Sequence, residues 1–359
     1  MTAAAFHLVR ERLRNQSLAV SRLRTPGEVV AWLGAAQAQD YAGAKWALGL
    51  RAKGLTDAAV ERAFDEGAIL RTHILRPTWH FVAPADVRWM LALSAPRVHA
   101  VNAYAYRTLE LDAAVLARSR AALEGALAGG RQLTRPELAK VLHRAGIQAD
   151  GPRLAYLMMH AELDAAICSG ARRGKQFTYA LLEERAPRAK VLARDKALAE
   201  LTRRYFSSHG PATLRDYVWW SGLTARDART GIEMSALAHT VIDGRSYWFV
   251  SGRSRVPAAR PSAHLLPNYD EYLIAYKDRE PVVGPPQGRD ARRPDVFAHS
   301  LLINGSLAGS WRRTASRDAV GVEVTPYRRP TASTTRALAA AARRLGTFMG
   351  VPVKLVIVK

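Results

Sequence analysis

The stretch Ala35-Ala36-Gln37-Ala38-Gln39-Asp40-Tyr41 sets two carboxamides into an apolar neighbourhood. Each amide both donates and accepts, so two that face the same way can hold one water in a fixed orientation. In a continuous helix, residues two apart lie about 200° around the axis and face opposite ways. On extended chain they share a face. Gln37 and Gln39 can therefore cooperate only if the helix before them ends near Ala36. Taken on residue chemistry alone, the pair reads equally as a polar helix end.

Three further polar islands stand out. Arg76-Pro77-Thr78-Trp79-His80 reads either as a buried Trp and a satisfied His in a hairpin or as part of a site. Leu266-Pro267-Asn268-Tyr269-Asp270-Glu271-Tyr272, followed by Tyr276-Lys277-Asp278-Arg279, places two acids beside tyrosines, which suits a buried hydrogen-bond network or a site. Gly309-Ser310-Trp311-Arg312-Arg313 pairs two arginines with an aromatic. That combination suits phosphates and groove edges, or an exposed strand end.

The familiar hydrolytic machinery is missing. The ten His form no HxxxH or HExxH pair, and the single Cys, Cys168, excludes both an intramolecular disulfide and a cysteine cage. Neither common glycine-rich phosphate loop occurs, nor a serine nucleophile elbow. The expectation is a protein without metal or cofactor. Lys plus Arg number 53 against 31 Asp plus Glu, a formal charge of +22. So large a one-signed charge fits a polyanionic partner, and the arginine fork suits phosphate oxygens. An Arg- and Ala-rich codon bias accounts for some of the arginines, but not for the scarcity of acids. No secretory signal and no apolar run of 18 residues is visible, so the expected setting is cytoplasmic, with no membrane role.

The elements that must position these islands follow from local signals. Thr25-Pro26-Gly27-Glu28 is a capping box with Pro in the first turn, and Val29, Trp32, Leu33 and Ala36 continue as an apolar stripe. A second helix is expected over Thr56–Phe64 with Ala58, Val60 and Ala63 inward. Strands follow at 69–75, stopped by Pro77, and at 78–82. The same outline of helix, helix and hairpin returns from Thr134 to Ala180 and again from residue 191 to Val250. Beyond Pro257 the texture turns β-rich. Strands are expected at 272–276, 281–283, 300–303, 307–312 and 319–324, with an Asn304-Gly305 hairpin turn, a helix over 331–349 and a last strand over 352–358. Four units result: residues 1–115, 116–188, 189–256 and 257–359. No acid follows Glu323, while seven basic residues do.

Gln37-Ala38-Gln39, Arg76 to His80, His209-Gly210-Pro211-Ala212-Thr213 with Trp219-Trp220-Ser221-Gly222-Leu223, Leu266 to Tyr272, and Gly309 to Arg313 occur in that order over nearly the whole chain. This resembles the winged-helix superfamily of bacterial DNA glycosylases of the AlkZ and YcaQ type. The resemblance implies an α+β fold with three tandem winged helices and a C-terminal β-barrel-like unit forming a C-shaped channel for double-stranded DNA. It implies excision of bulky N7-alkylated purines, including unhooking of interstrand crosslinks, as repair and as self-resistance to a DNA-alkylating natural product such as azinomycin B. The AlkZ-like branch uses Gln-x-Gln as its catalytic pair and the other branch Gln-x-Asp. Gln37 and Gln39 fit the first, and Asp40 stands one residue late for the second. Arg76, Trp79, His80, Tyr269, Arg312 and Arg313 become the expected DNA contacts, and the hairpin that enters the groove is expected after residue 257. The expected enzyme is a monomer without cofactor or metal. A winged-helix transcription regulator and a drug-binding resistance protein are the rival readings.

Overall fold

A computed structural model describes residues 3–251, 261–284, 298–315 and 319–358. The boundary expected at 256/257 lies outside these residues. Helix α1 (Ala3–Asn15) buries Leu8, Val9 and Leu13. Helix α2 (Pro26–Leu33) starts at the expected capping box: Thr25 accepts from the Glu28 amide and Glu28 accepts from the Thr25 amide. It ends early, because Gly34 adopts φ 83, a backbone state that glycine enters without a Cβ clash. The chain then extends as β1 (Ala35–Gln37).

Asp40 caps the next helix, α3 (Tyr41–Gly49), by accepting from the Gly43 amide at 3.1 Å. Helix α4 (Asp57–Asp65) starts at Thr56 and buries Val60, Ala63 and Phe64. Ala58, expected inward, is exposed, since it falls outside the stripe that runs through Val60. Strands β2 (Leu70–Ile74) and β3 (Arg76–Val82) turn about Leu75 at φ 64, and β1 completes a sheet of order β1-β3-β2. Contrary to the expectation, Pro77 does not stop a strand; it lies within β3. The register slips between the His73–Trp79 and Ile74–Arg76 pairs, and at such an irregularity the missing N–H costs no ladder bond.

The chain continues through α5 (Val87–Thr108), α6 (Ala113–Leu127), β4 (Leu133–Thr134), α7 (Arg135–Arg144), α8 (Gly151–Leu163), β5 (Ile167–Ser169), β6 (Thr178–Leu181) and α9 (Leu182–Arg185). Thr134 and Glu137 form the expected capping box of α7. These elements share a core around Leu123, Leu138, Leu157 and Ile167. Then come α10 (Arg194–Ser208), α11 (Leu214–Ser221), α12 (Ala225–Met234) and the hairpin β7 (Ala238–Ile242) and β8 (Arg245–Phe249). Helix α11 is capped by Thr213 and Asp216 and closed by Gly222 at φ 70. A helix pair followed by a two-stranded hairpin thus occurs at α3–α4, α7–α8 and α11–α12.

The remaining elements are β9 (Ala263–Leu266), α13 (Glu271–Ile274), α14 (Glu280–Val283), β10 (Ser300–Ile303), β11 (Ser306–Ala315), β12 (Val320–Pro326), α15 (Ala332–Met349) and β13 (Val353–Ile357). Two expected strands are helical turns instead. Asp270 accepts from the Tyr272 amide at 2.9 Å and starts α13, and Pro281 sits in the first turn of α14. Among the described residues the sheet runs β13-β12-β11-β10-β9, with β13 and β9 at its edges and not paired to each other. Asn304 and Gly305, at φ 52 and 83, make the expected hairpin turn between β10 and β11.

The three-stranded sheet lies between two cores. Ala36, Phe81, Leu265, Leu301, Val322 and Leu345 join its one face to the C-terminal sheet and α15. Leu70, Val82, Trp89, Tyr205 and Trp220 join the other face to α5, α10 and α11. A fully buried pair ties the first core to the C-terminal unit: Arg51 donates to both Asp270 oxygens at 2.7 and 2.8 Å, to Gln16 Oε1 at 2.7 Å and to the Ala47 carbonyl at 2.9 Å. Removing one partner leaves an uncompensated buried charge, which costs about 3–5 kcal/mol. Arg51→Met should therefore lower the unfolding free energy by about that much in urea denaturation; a loss under 1 kcal/mol would show that the pair does not clamp the fold.

Candidate active site

Because α2 ends at Leu33, Gln37 stands on extended chain. Ala36 and Ala38 are buried in the apolar core, Gln37 is half-buried and Gln39 is exposed. Gln37 thus lies on the face of β1 opposite Ala36, and Gln39 follows in the bend just beyond the strand. Ala38 holds the segment in place: its N–H donates to the Trp79 carbonyl at 2.8 Å and its carbonyl accepts from Arg71 Nε at 2.9 Å.

Gln37 pairs across the ladder with His80 on β3, and His80 pairs with Thr72 on β2. Cross-strand partners share a face, so the three side chains form one row. Gln37 Oε1, His80 Nε2 and Thr72 Oγ1 are each buried without a hydrogen-bond partner in the protein, as are Thr78 Oγ1 and Arg76 Nε and Nη2. Native proteins pair nearly all buried polar atoms, and an unpaired one costs about 1–3 kcal/mol. Such a concentration marks groups held ready for water or substrate atoms.

Behind this row lies Glu271, almost fully buried at the start of α13. Its Oε1 accepts from the Gln37 amide at 2.8 Å and its Oε2 from Trp220 Nε1 at 3.0 Å; His209 Nε2 lies 3.5 Å from Oε2. Burial opposes the negative charge, but His209, then His80 and the Gln37 amide, hold the carboxyl down at about 2. Burial, then Arg76, pushes His80 down to about 3, while its Nδ1 donates to the Thr78 carbonyl at 2.9 Å. His80 is therefore neutral with Nε2 as an acceptor. Burial also lowers His209. Two direct N–H donors reach Glu271 whatever the state of that ring, so the site holds a fixed negative charge one layer behind Gln37.

The remaining singled-out residues fall into distinct places. Arg76 is near both Glu271 and His80, which feel its charge, and burial lowers its own pKa. His80 is fully buried. Trp79 points to the other face of β3, its ring centre 4.4 Å from that of His73 at a 42° tilt and 4.4 Å from the Arg71 guanidinium. Asp40 is a helix cap and Asp270 a clamp partner. Tyr269, half-buried at φ 59, leads into the two acids. Arg312 and Arg313 are exposed on β11; Arg312 pairs with Glu323 at 2.8 Å, and His299 feels both Arg313 and Asp40. Trp311 between these elements is buried and donates to the Leu266 carbonyl at 2.7 Å.

Glu271's link to Gln37 spans 234 positions and has no local signal. The same holds for Trp219, whose ring gathers Lys277, Arg279 and Arg76 at 4.3, 5.6 and 5.9 Å. Among the described residues one group has metal-ligand types within reach of one another: His99 on α5, His160 on α8 and Asp164 at the end of α8. An HxxxD spacing on α8 plus His99 was its only trace in the sequence. Asp164 there already meets both rings and lies 3.9 Å from Arg120, a cation that opposes a metal.

The DNA glycosylase AlkZ-like family profile matches residues 30–348. The interstrand DNA cross-link repair glycosylase of Streptomyces sahachiroi is 23% identical over 320 residues, 84% of this chain and 85% of that protein. The solved structure of Streptomyces sahachiroi DNA glycosylase AlkZ shares the fold with a TM-score of 0.81 at 21% identity, over 99% of this chain and 100% of the other. The profile leaves out only the ends of the chain, and the protein belongs to the AlkZ-like family of DNA glycosylases.

Proposed function

We propose that this protein hydrolyses the N-glycosidic bond of bulky N7-alkylated purines in double-stranded DNA, including those of interstrand crosslinks, with Gln37 and Gln39 as the catalytic pair. The observation that carries the reading is the placement of Gln37: on extended chain, its side-chain Oε1 unpartnered, its backbone N–H donating to a buried carboxylate. Membership of a DNA glycosylase family, a relative named for crosslink repair and the charge of +22 support it. We read the three helix-pair-and-hairpin units as winged helices that, with the C-terminal sheet, line a channel for DNA. Arg312, Arg313 and Tyr269 are proposed contacts on that channel. Protection against a DNA-alkylating natural product is the proposed biological role.

The chemistry needs no general acid. Alkylation at N7 already puts positive charge on the purine, so the leaving group departs without protonation. The sugar passes through an oxocarbenium-like state, which needs an oriented water and negative potential nearby. The amide carbonyls of Gln37 and Gln39 accept from the water, and Glu271 supplies fixed negative charge behind them. The exposure of Gln39 suits a crosslinked base, which cannot be fully flipped because it remains joined to the opposite strand.

Incubation with an N7-methylguanine duplex and subsequent alkaline cleavage should give strand breaks; intact strands would favour a transcription regulator or a drug-sequestering protein. Gln37→Ala and Gln39→Ala should each lower the single-turnover rate by about 100-fold or more while DNA affinity stays nearly unchanged. Neutral amides do not attack the sugar, so borohydride should trap no enzyme–DNA adduct. The rate should be flat from about pH 5 to 8, since Gln does not titrate, Glu271 is held at about 2 and His80 at about 3. Both values are depressed, so the unfolded chain binds more protons. Their stabilising contribution is present above the ordinary values of 4.5 and 6.5 and is lost as the pH falls towards 2 and 3. A rate that titrates sharply between pH 6 and 8 would point to a different catalytic group.

A further inference from the structure

We propose that Arg76, Lys277 and Arg279, gathered about Trp219, form a site for a backbone phosphate of the strand that carries the target nucleotide. The Trp219 indole is locked in place, because its Nε1 donates to the Ile274 carbonyl at 2.8 Å. What remains is its face and rim, and these draw three cations from two separate segments: Lys277 at 4.3 Å, Arg279 at 5.6 Å and Arg76 at 5.9 Å from the ring centre. Cation–π attraction offsets part of their mutual repulsion but neutralises none of their charge. Burial lowers the pKa of Arg279; Asp216 opposes the shift, and the charge of Arg76 adds to it.

Among the described residues, the neighbouring acids accept their hydrogen bonds from other groups, although Asp216 and Glu271 act on Arg279 and Arg76 through their charge. Asp216 accepts from the Thr213, Lys277 and Asp278 amides and faces Arg12 at 3.7 Å. Asp278 is ion-paired with Arg245. Glu271 is held by Gln37 and Trp220. Lys277 is exposed and makes no ion pair among the described residues, and Arg76 keeps Nε and Nη2 buried and unpartnered. Lys277 and Arg76 thus keep donors that an anion would complete, with the Arg279 charge beside them. The planar guanidinium fork matches the two non-bridging oxygens of a phosphodiester.

The position suits a phosphate near the scissile nucleotide. Arg76 opens β3, and His80, four residues on and roughly 13 Å along the strand, pairs with Gln37. Trp220, next to Trp219, donates to the carboxylate that holds Gln37. A phosphate fixed here sets the register of the strand relative to both glutamines. That role rests on the proposed glycosylase reading, while the anion site itself does not.

The test uses the full-length protein and fluorescence anisotropy of an undamaged duplex and an N7-methylguanine duplex across a salt series. Lys277→Ala and Arg279→Ala should weaken binding to both duplexes alike and reduce the slope of log K against log salt by about one each. A single methylphosphonate is then walked along the phosphates flanking the target. At one position the neutral linkage should cost wild type the same factor as Lys277→Ala, and the variant should lose nothing more. Unchanged slopes in both variants, or losses that add at every position, would overturn the proposal. Binding is read independently of base release. A coupled phosphate without excision would therefore refute the glycosylase reading alone, and excision without coupling would refute the phosphate site alone.

Discussion

The carboxylate of Glu271 is the constraint around which the rest is arranged. Burying an isolated carboxylate costs several kcal/mol, so the site exists only where donors converge on it. They come from three parts of the chain: the Gln37 amide on β1, the Trp220 indole on α11, and the neighbouring His209 ring after α10. The segment that carries Glu271 is pinned on both sides to make this possible. Asp270 is gripped by Arg51, the Tyr272 hydroxyl donates to the Gly305 carbonyl at 2.9 Å, and the Tyr276 hydroxyl donates to the His209 carbonyl at 2.7 Å. Adjacent acids thereby do different work. Asp270 meets a permanent cation in bidentate geometry and its field closes on itself. Glu271 meets no such bidentate cation: two N–H donors and the His209 ring reach it, and Arg76 at the start of β3 feels its charge.

The sheet β1-β3-β2 turns that charge into a site. Its apolar face is sealed against the C-terminal sheet, which fixes the backbone on which Gln37 stands. Its other face is apolar at Ala35, Leu70 and Val82 and polar from the Gln37–His80 pair towards Arg76. The polar end is reached by α11 only because Gly222 closes that helix. A Cβ at position 222 would collide with the Leu75 carbonyl, and its φ of 70 is one that side chains resist. This close approach of α11 to the β2–β3 turn is what sets Trp219 beside Arg76. One glycine therefore links the geometry at the glutamines to the cations around Trp219.

The parts of this fold that obey local rules were legible in the sequence. Thr25, Thr134 and Thr213 each satisfy a first-turn amide from within four residues, and Asn304-Gly305 supplies the backbone angles of a tight hairpin. The turns read as strands at 272–276 and 281–283 failed because Asp270 and Pro281 act as helix starters, signals outweighed by the surrounding β-rich texture. Helix α3 hides its amphipathicity, since nearly every residue after its first two is buried. Strand β1 is three residues long and exists only through its pairing with β3. The glutamines could be singled out as residue types, and their spacing stated what the backbone had to do; the resemblance, not the spacing, made them a catalytic pair. Glu271 lay in a segment marked as network or site, yet nothing within reach of it in sequence names Gln37 as its partner. His80 was singled out as a DNA contact, but the fold buries it in the row behind the glutamines.

On the proposed chemistry, setting the negative charge one layer back has a consequence for selectivity. A carboxylate in direct reach of the sugar would be free to add to the anomeric carbon, and a protonated acid near the base would help any purine to leave. Neutral amides do neither. Glu271, its carboxyl held down at about 2 and locked by two N–H donors, is ionised at neutral pH, so it can stabilise positive charge but has no proton to give. His80, held neutral with its one ring proton committed to the Thr78 carbonyl, has none either. A site without an available proton can assist only a base that already carries its own charge. Discrimination between an N7-alkylated purine and the vast excess of normal purines then comes from what the active site lacks as well as from what it binds.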